Sequence, residues 1–145
     1  MDKFLKAALK EAKLGLKEGG IPIGAVLVRR GRIIGRGHNR RVQEGSAILH
    51  AEMDALENAG RLSASAYEDC CLYTTLSPCA MCSGALLLYR IRRLVIGENK
   101  NFTGEEKLLR SRGVKLRVIQ SRECIDLMAK FIKDKPELWN EDIGV

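Results

Sequence analysis

From Cys71 onward the chain alternates short apolar runs with helical stretches, and this order narrows the possible folds more than any other feature. Cys71 to Leu76, Leu94 to Gly97 and Lys115 to Ile119 read as strands. Between and after them, helices are predicted from Pro78 to about Tyr89, near Glu105 to Arg112, and over Arg122 to Lys133, with a tail beginning at Pro136. Strands joined by helices run parallel and need both faces covered. Upstream, residues 3–17 place Phe4, Leu5, Ala8, Leu9, Ala12 and Leu16 at helical spacing, stopped by Gly19-Gly20. Ile23 to Val28 and Arg32 to Gly37, joined across Arg29-Arg30-Gly31, read as a hairpin, and after a polar loop His50 to Ala59 reads as a helix closed by Gly60. Five strands and these helices predict a mixed sheet in a three-layer α/β/α sandwich, with residues 1–145 as one domain.

Other classes are excluded by simple counts. The longest apolar run, Ala85 to Tyr89, is far shorter than the ~18 residues of a membrane span. Early charges at Asp2, Lys3 and Lys6 leave no secretory signal core. Five cysteines are an odd set in a chain large enough to fold without crosslinks, which points to a reducing compartment: the cytoplasm, or also the nucleus in a eukaryote. Cys70, Cys71 and Cys124 read as packing residues. The net charge of +7 raises nucleic acid as a partner, but the basic residues form short separate clusters such as Arg29-Arg30, Arg40-Arg41 and Arg92-Arg93. A solvated basic surface is the simpler reading.

The chemistry lies in His50-Ala51-Glu52 followed 25 residues later by Pro78-Cys79-Ala80-Met81-Cys82. One imidazole and two thiols supply three zinc ligands, which is what a catalytic site uses when its fourth position is left to water. Cys79 and Cys82 fall on one side of a helix start, where the positive helix end favours thiolates. Glu52 is then free to move protons. A lone C-x-x-C is more often a redox pair, half a structural zinc site or packing; together with H-x-E and the proline it forms the zinc deaminase pattern, in which Glu is the acid/base and no ligand. His38 lacks such spacing and reads as structural.

At these residues the chain resembles the fungal-type cytosine deaminases of the cytidine deaminase-like superfamily. The likeness extends over nearly the whole sequence, including Lys17-Glu18-Gly19-Gly20 with Pro22-Ile23-Gly24, Gly35-Arg36-Gly37-His38-Asn39, Leu72 to Ser77, Asn101-Phe102, and Trp139 with Glu141-Asp142-Ile143-Gly144. The resemblance implies a five-stranded cytidine deaminase-like fold, a homodimer, Zn2+ held by His50, Cys79 and Cys82, and Glu52 as proton shuttle. It further implies a cytosine pocket closed by the C-terminal tail. Asn39 and Asp142 would hydrogen-bond the base, Phe102 and Trp139 wall it, and Ile23 supply an apolar contact, with backbone groups of Ala51, Ser77 and Cys79 on the polar rim. Two departures stand out: Ala51 replaces a glycine, as in many tRNA adenosine deaminases, and Asn140 replaces an aromatic residue. The expected reaction is hydrolysis of free cytosine to uracil and ammonia. The alternatives are another free base such as guanine, or adenosine or cytidine in tRNA or single-stranded nucleic acid.

Overall fold

A computed structural model describes all of residues 1–145. Helix α1 (Lys3–Lys17) starts where the Asp2 side chain accepts the backbone N–H groups of Phe4 and Leu5, and it buries Leu5, Ala8, Leu9 and Ala12. Strands β1 (Gly24–Arg29) and β2 (Arg32–His38) form an antiparallel hairpin. Its two-residue turn places Arg30 and Gly31 at φ values of 50° and 77°, the doubly left-handed geometry that matches strand twist. A register shift after Leu27 marks a bulge in this pair.

Beyond β2 come α2 (Arg41–Glu44), α3 (Ala51–Ala59), α4 (Ala64–Glu68), β3 (Cys70–Thr74), α5 (Ala80–Leu88), β4 (Arg93–Ile96), α6 (Glu106–Ser111), β5 (Lys115–Val118), α7 (Arg122–Asp134) and α8 (Pro136–Asp142). The five strands lie in the order β2-β1-β3-β4-β5. The pairings of β1 are antiparallel and those of β3 with β4 and β4 with β5 are parallel, so the sheet is mixed as expected. Alternate residues divide between its faces. Ala25, Leu27, Leu72, Leu94 and Ile96 enter one hydrophobic core with Ala51 and Ala55 of α3, Leu86 of α5 and Leu109 of α6. On the other face α1 packs across β1, β2 and β3.

Three differences from the sequence reading concern local signals. The polar loop after Asn39 contains the one-turn α2, and α4 was hidden in an equally polar stretch, because such short helices carry no periodicity. The tail from Pro136 is a helix. Proline at its first position costs no hydrogen bond, and Leu138, Trp139 and Ile143 find apolar contacts only once the core exists. Cys71 differs from Cys70 in facing the α1 side of the sheet half-buried, whereas Cys70 is fully buried. No helix is long and apolar enough to cross a membrane.

Candidate active site

Two helix starts meet beyond the carboxyl ends of the parallel strands β3 and β4, the place where open α/β sheets bind ligands. His50 is the N-cap of α3 and Cys79 the N-cap of α5, with Cys82 in the first turn of α5. Close packing brings α3 in: a Cβ on Gly37 would overlap the backbone of Asp54 and Ala55. On the other side, Ser77 N–H donates to the Glu98 carbonyl at 3.1 Å, and the Pro78 carbonyl accepts Ser83 Oγ at 3.2 Å and Glu105 N–H at 3.3 Å.

His50 Nδ1 lies 3.3 Å from Cys79 Sγ and 3.8 Å from Cys82 Sγ, and the three donor atoms lie within 4.8 Å of one another. Tetrahedral zinc with ordinary Zn–N and Zn–S bonds separates such N and S atoms by about 3.6 Å, so the donor set fits the ion. Its protonation chemistry points the same way. The Cys79 thiol is lowered to about 4 by the Cys82 hydrogen bond and by His50, against the effect of burial. Cys82 is raised well above the thiol range by its bond to Cys79 and by burial. Burial opposes a charged His50 ring, yet the Cys79 bond and the Asp142 and Glu52 carboxylates raise it to about 9. Cys79 is thus a thiolate beside a proton-holding Cys82, an electron-rich pair whose charge a cation can balance.

Glu52, only 4% exposed, stands beside this set without joining it. Burial raises its carboxyl to about 7, with His50 working in the opposite direction. That is the range in which a carboxyl both takes and gives protons at neutral pH.

The expected substrate residues converge here. Ile23, His50, Glu52, Ser77, Cys79, Phe102, Trp139 and Asp142 line one small cavity. Phe102 and Trp139 pack edge to face with ring centroids 5.9 Å apart. Asn39 and Ala51, also expected at the substrate, do not line the cavity: both are fully buried, Asn39 against Asp142 and Ala51 in the hydrophobic core. Asn39 Nδ2 donates to Asp142 Oδ1 at 2.8 Å, and the same oxygen lies 3.4 Å from His50 Nε2. The Asp142 carboxyl is raised by burial, a shift resisted by His50, Asn39 and Arg41.

Several residues of the site were not singled out from sequence. Leu76 and Ile143 complete the cavity. Arg41 reaches Asp142 at 3.6 Å and Glu141 at 3.7 Å, tying α8 to α2. Glu106 is a buried carboxylate that accepts the Ser77 hydroxyl at 2.6 Å and the Asn99 amide at 3.2 Å, while Ser77 Oγ accepts Gly104 N–H at 2.9 Å. This latch holds the segment carrying Phe102 against the segment carrying Cys79. No local signal distinguishes Glu106 from a solvated helix charge; its position in the sequence, at the start of α6, is ordinary for an acid.

The sheet order and the His/Cys/Cys donor set with a separate buried glutamate define a zinc-dependent deaminase of the α/β/α type. The family model for the cytidine and deoxycytidylate deaminase zinc-binding region matches residues 1–98, and the chain belongs to that family. The cytosine deaminase of Candida albicans is 59% identical over 143 residues, 98% of this chain and 95% of that protein. A tRNA-specific adenosine deaminase of Streptococcus pyogenes is 38% identical over 149 residues, 92% of this chain and 91% of that protein. The solved structure of guanine deaminase from Nitrosomonas europaea shares the fold, with a TM-score of 0.72 at 23% identity over 88% of this chain and 82% of that one.

Proposed function

We propose that this protein hydrolyses free cytosine to uracil and ammonia. The observation that carries the reading is the closure of the site by α8. Trp139, Asp142 and Ile143 roof a cavity of about 20 Å³ in which Glu52 faces the donor set. By this measure the space holds about one water, so side chains of α8 must shift for a base to seat beside Glu52, and a solvent-open groove of about 450 Å³ bordered by His50, Cys79, Phe102 and Asp142 adjoins it. A ribose on N1, or a nucleic-acid strand, would need that roof to stay open. The identity to the Candida albicans cytosine deaminase supports the same substrate.

In this reading His50, Cys79 and Cys82 hold zinc, which when bound lowers the pKa of a water from 15.7 to about 7. Glu52 accepts the proton given up by the attacking water and delivers it to ring N3, which makes C4 electrophilic. It then takes the proton of the new C4 hydroxyl and passes it to the departing amine, leaving the C4 carbonyl of uracil. Asp142 accepts from the substrate amine, Asn39 pairs with the lactam edge, and Phe102 and Trp139 hold the ring plane. Ala51 stands where the resembling enzymes have glycine, and its methyl joins the core behind the cavity instead of lining it.

The protein works as a homodimer in this reading. α5 carries no charged residue, and its outer side presents Ala80, Gly84 and Leu88, the last 71% exposed, whereas Leu86 is in the core. A helix apolar on every side belongs between two packed surfaces. The odd number of cysteines, five in a chain large enough to fold without crosslinks, supports a reducing compartment such as the cytoplasm. The test of substrate is ammonia release from a panel of free bases, nucleosides and tRNA, by the full chain and by a chain lacking residues 137–145. Cytosine should be the preferred substrate of the full chain and should be lost on truncation with zinc retained. Preference for cytidine or tRNA, or normal turnover after truncation, would overturn the assignment.

A further inference from the structure

A cavity of about 580 Å³ lies away from the zinc donors, on the α1 side of the sheet toward the amino ends of β4 and β5. This is within the range of small-ligand pockets. Parallel strands are ordinarily covered on both faces. Here α1 packs mainly on β1, β2 and β3, and no residue of α6, α7 or α8 lines the corner over β4 and β5, so it stays open.

The side chains in that corner are not those of a bare core. Register places Cys71, Arg93 and Lys115 in one row across β3, β4 and β5, and Tyr73, Val95 and Arg117 in the next. With strands about 4.8 Å apart and same-face residues on one strand about 6.6 Å apart, Arg93, Lys115 and Arg117 form a triangle of cations less than about 10 Å wide. All three are exposed. Asp69 is the one carboxylate in the lining, and it is already paired with Arg29 and Arg30. Arg93 Nη2 is steadied by the Asp69 carbonyl at 3.0 Å. Like charges opposite each other on neighbouring strands are unfavourable by themselves. Protection of an exposed sheet edge would explain Lys115 and Arg117 on β5, but Arg93 stands on β4, which is not an edge. The other end of the cavity is aromatic, with the Phe4 and Tyr73 rings tilted together at 5.3 Å between centroids.

We propose that this groove is a binding site for a nucleoside monophosphate, distinct from the deaminase site. The phosphate dianion sits on the Arg93, Lys115 and Arg117 triangle, where it relieves their mutual repulsion. The planar base lies against Phe4 and Tyr73, about two strand spacings away, with the ribose bridging over Val95. The compactness of the triangle favours one phosphate group over the extended track that a polymer backbone requires.

The experiment is calorimetric titration of the zinc-loaded full chain with UMP and with AMP, using uridine, inorganic phosphate and a single-stranded RNA oligonucleotide as the other arms. At least one monophosphate should bind, with uridine and inorganic phosphate each about tenfold weaker or more, and the affinity should fall as salt rises. The Lys115→Glu/Arg117→Glu double variant, altered only at exposed positions, should lose at least about tenfold in that affinity while keeping its cytosine turnover. The proposal is overturned if neither monophosphate binds at millimolar concentration, if inorganic phosphate binds as tightly, or if only the RNA binds. It is equally overturned if binding survives the charge reversal, since the ligand would then be elsewhere.

Discussion

Replacing Asp142 by alanine tests the roof of the site most directly. In the closed structure its carboxylate receives Asn39 Nδ2 at 2.8 Å, faces His50 Nε2 at 3.4 Å and pairs with Arg41 at 3.6 Å, almost wholly out of water. In the proposed complex one of its oxygens takes the substrate amine instead. A hydrogen bond to a charged group contributes about 1.5–3 kcal/mol, so Asp142→Ala should lower kcat/KM for cytosine roughly 10- to 150-fold. Asp142→Asn separates the components: it retains an acceptor for Asn39 but removes the charge, and should fall between the parent and alanine variants. Because Asp142 is not in the donor set, zinc content should stay at one per chain in both. Steady-state ammonia release alongside metal analysis is the assay. Activity of Asp142→Ala within twofold of the parent would refute the substrate contact, and zinc loss parallel to activity loss would show that the residue acts through His50 instead.

Glu52→Gln should keep the zinc and the thermal transition yet lose nearly all turnover, since an amide cannot carry the proton; substantial residual rate would mean another group shuttles it. Glu106→Ala leaves the buried Ser77 hydroxyl without its acceptor, at about 1–3 kcal/mol, and removes a partner of the half-buried Asn99 amide, so a clear fall in the denaturant midpoint is expected. Glu106→Gln, which keeps an acceptor, should recover part of it, and an unchanged midpoint in both variants would remove the latch from the account. His38 lies between Glu11 at 3.0 Å and Glu18 at 2.7 Å. Burial lowers its pKa, but the two carboxylates outweigh that and raise it above 6.5. Its stabilising charge is therefore fully present below pH 6.5 and disappears as pH rises through the folded value. His38→Gln should lose more stability at pH 6 than at pH 9, measured by chemical denaturation, and an equal loss at both would refute the ion pair.

The legible part of this protein is the part with short-range or strongly typed signals. Strand and helix order follows from local periodicity, and His50, Glu52, Cys79 and Cys82 stand out because few other chemistries combine those residue types at that spacing. Ile23, Phe102, Trp139 and Asp142 came from family likeness rather than from any physical pattern around them, and the structure places them along one cavity.

What tertiary structure decided is what depends on meeting across long sequence separations. His38 had no visible carboxylate partner in the sequence, yet Glu11 and Glu18 reach it from α1 and its end. Glu106 is an ordinary first-turn acid until Ser77 arrives 29 residues away. The separate clusters Arg29-Arg30 and Arg92-Arg93 read as scattered surface charge, but antiparallel β1 and parallel β4 bring them to the same end of the sheet. The sequence alone determines which groups a chain owns and which backbone each stretch prefers. Hydrogen bonds and charge pairs act over a few ångströms, so their partners exist only once the sheet order has been chosen.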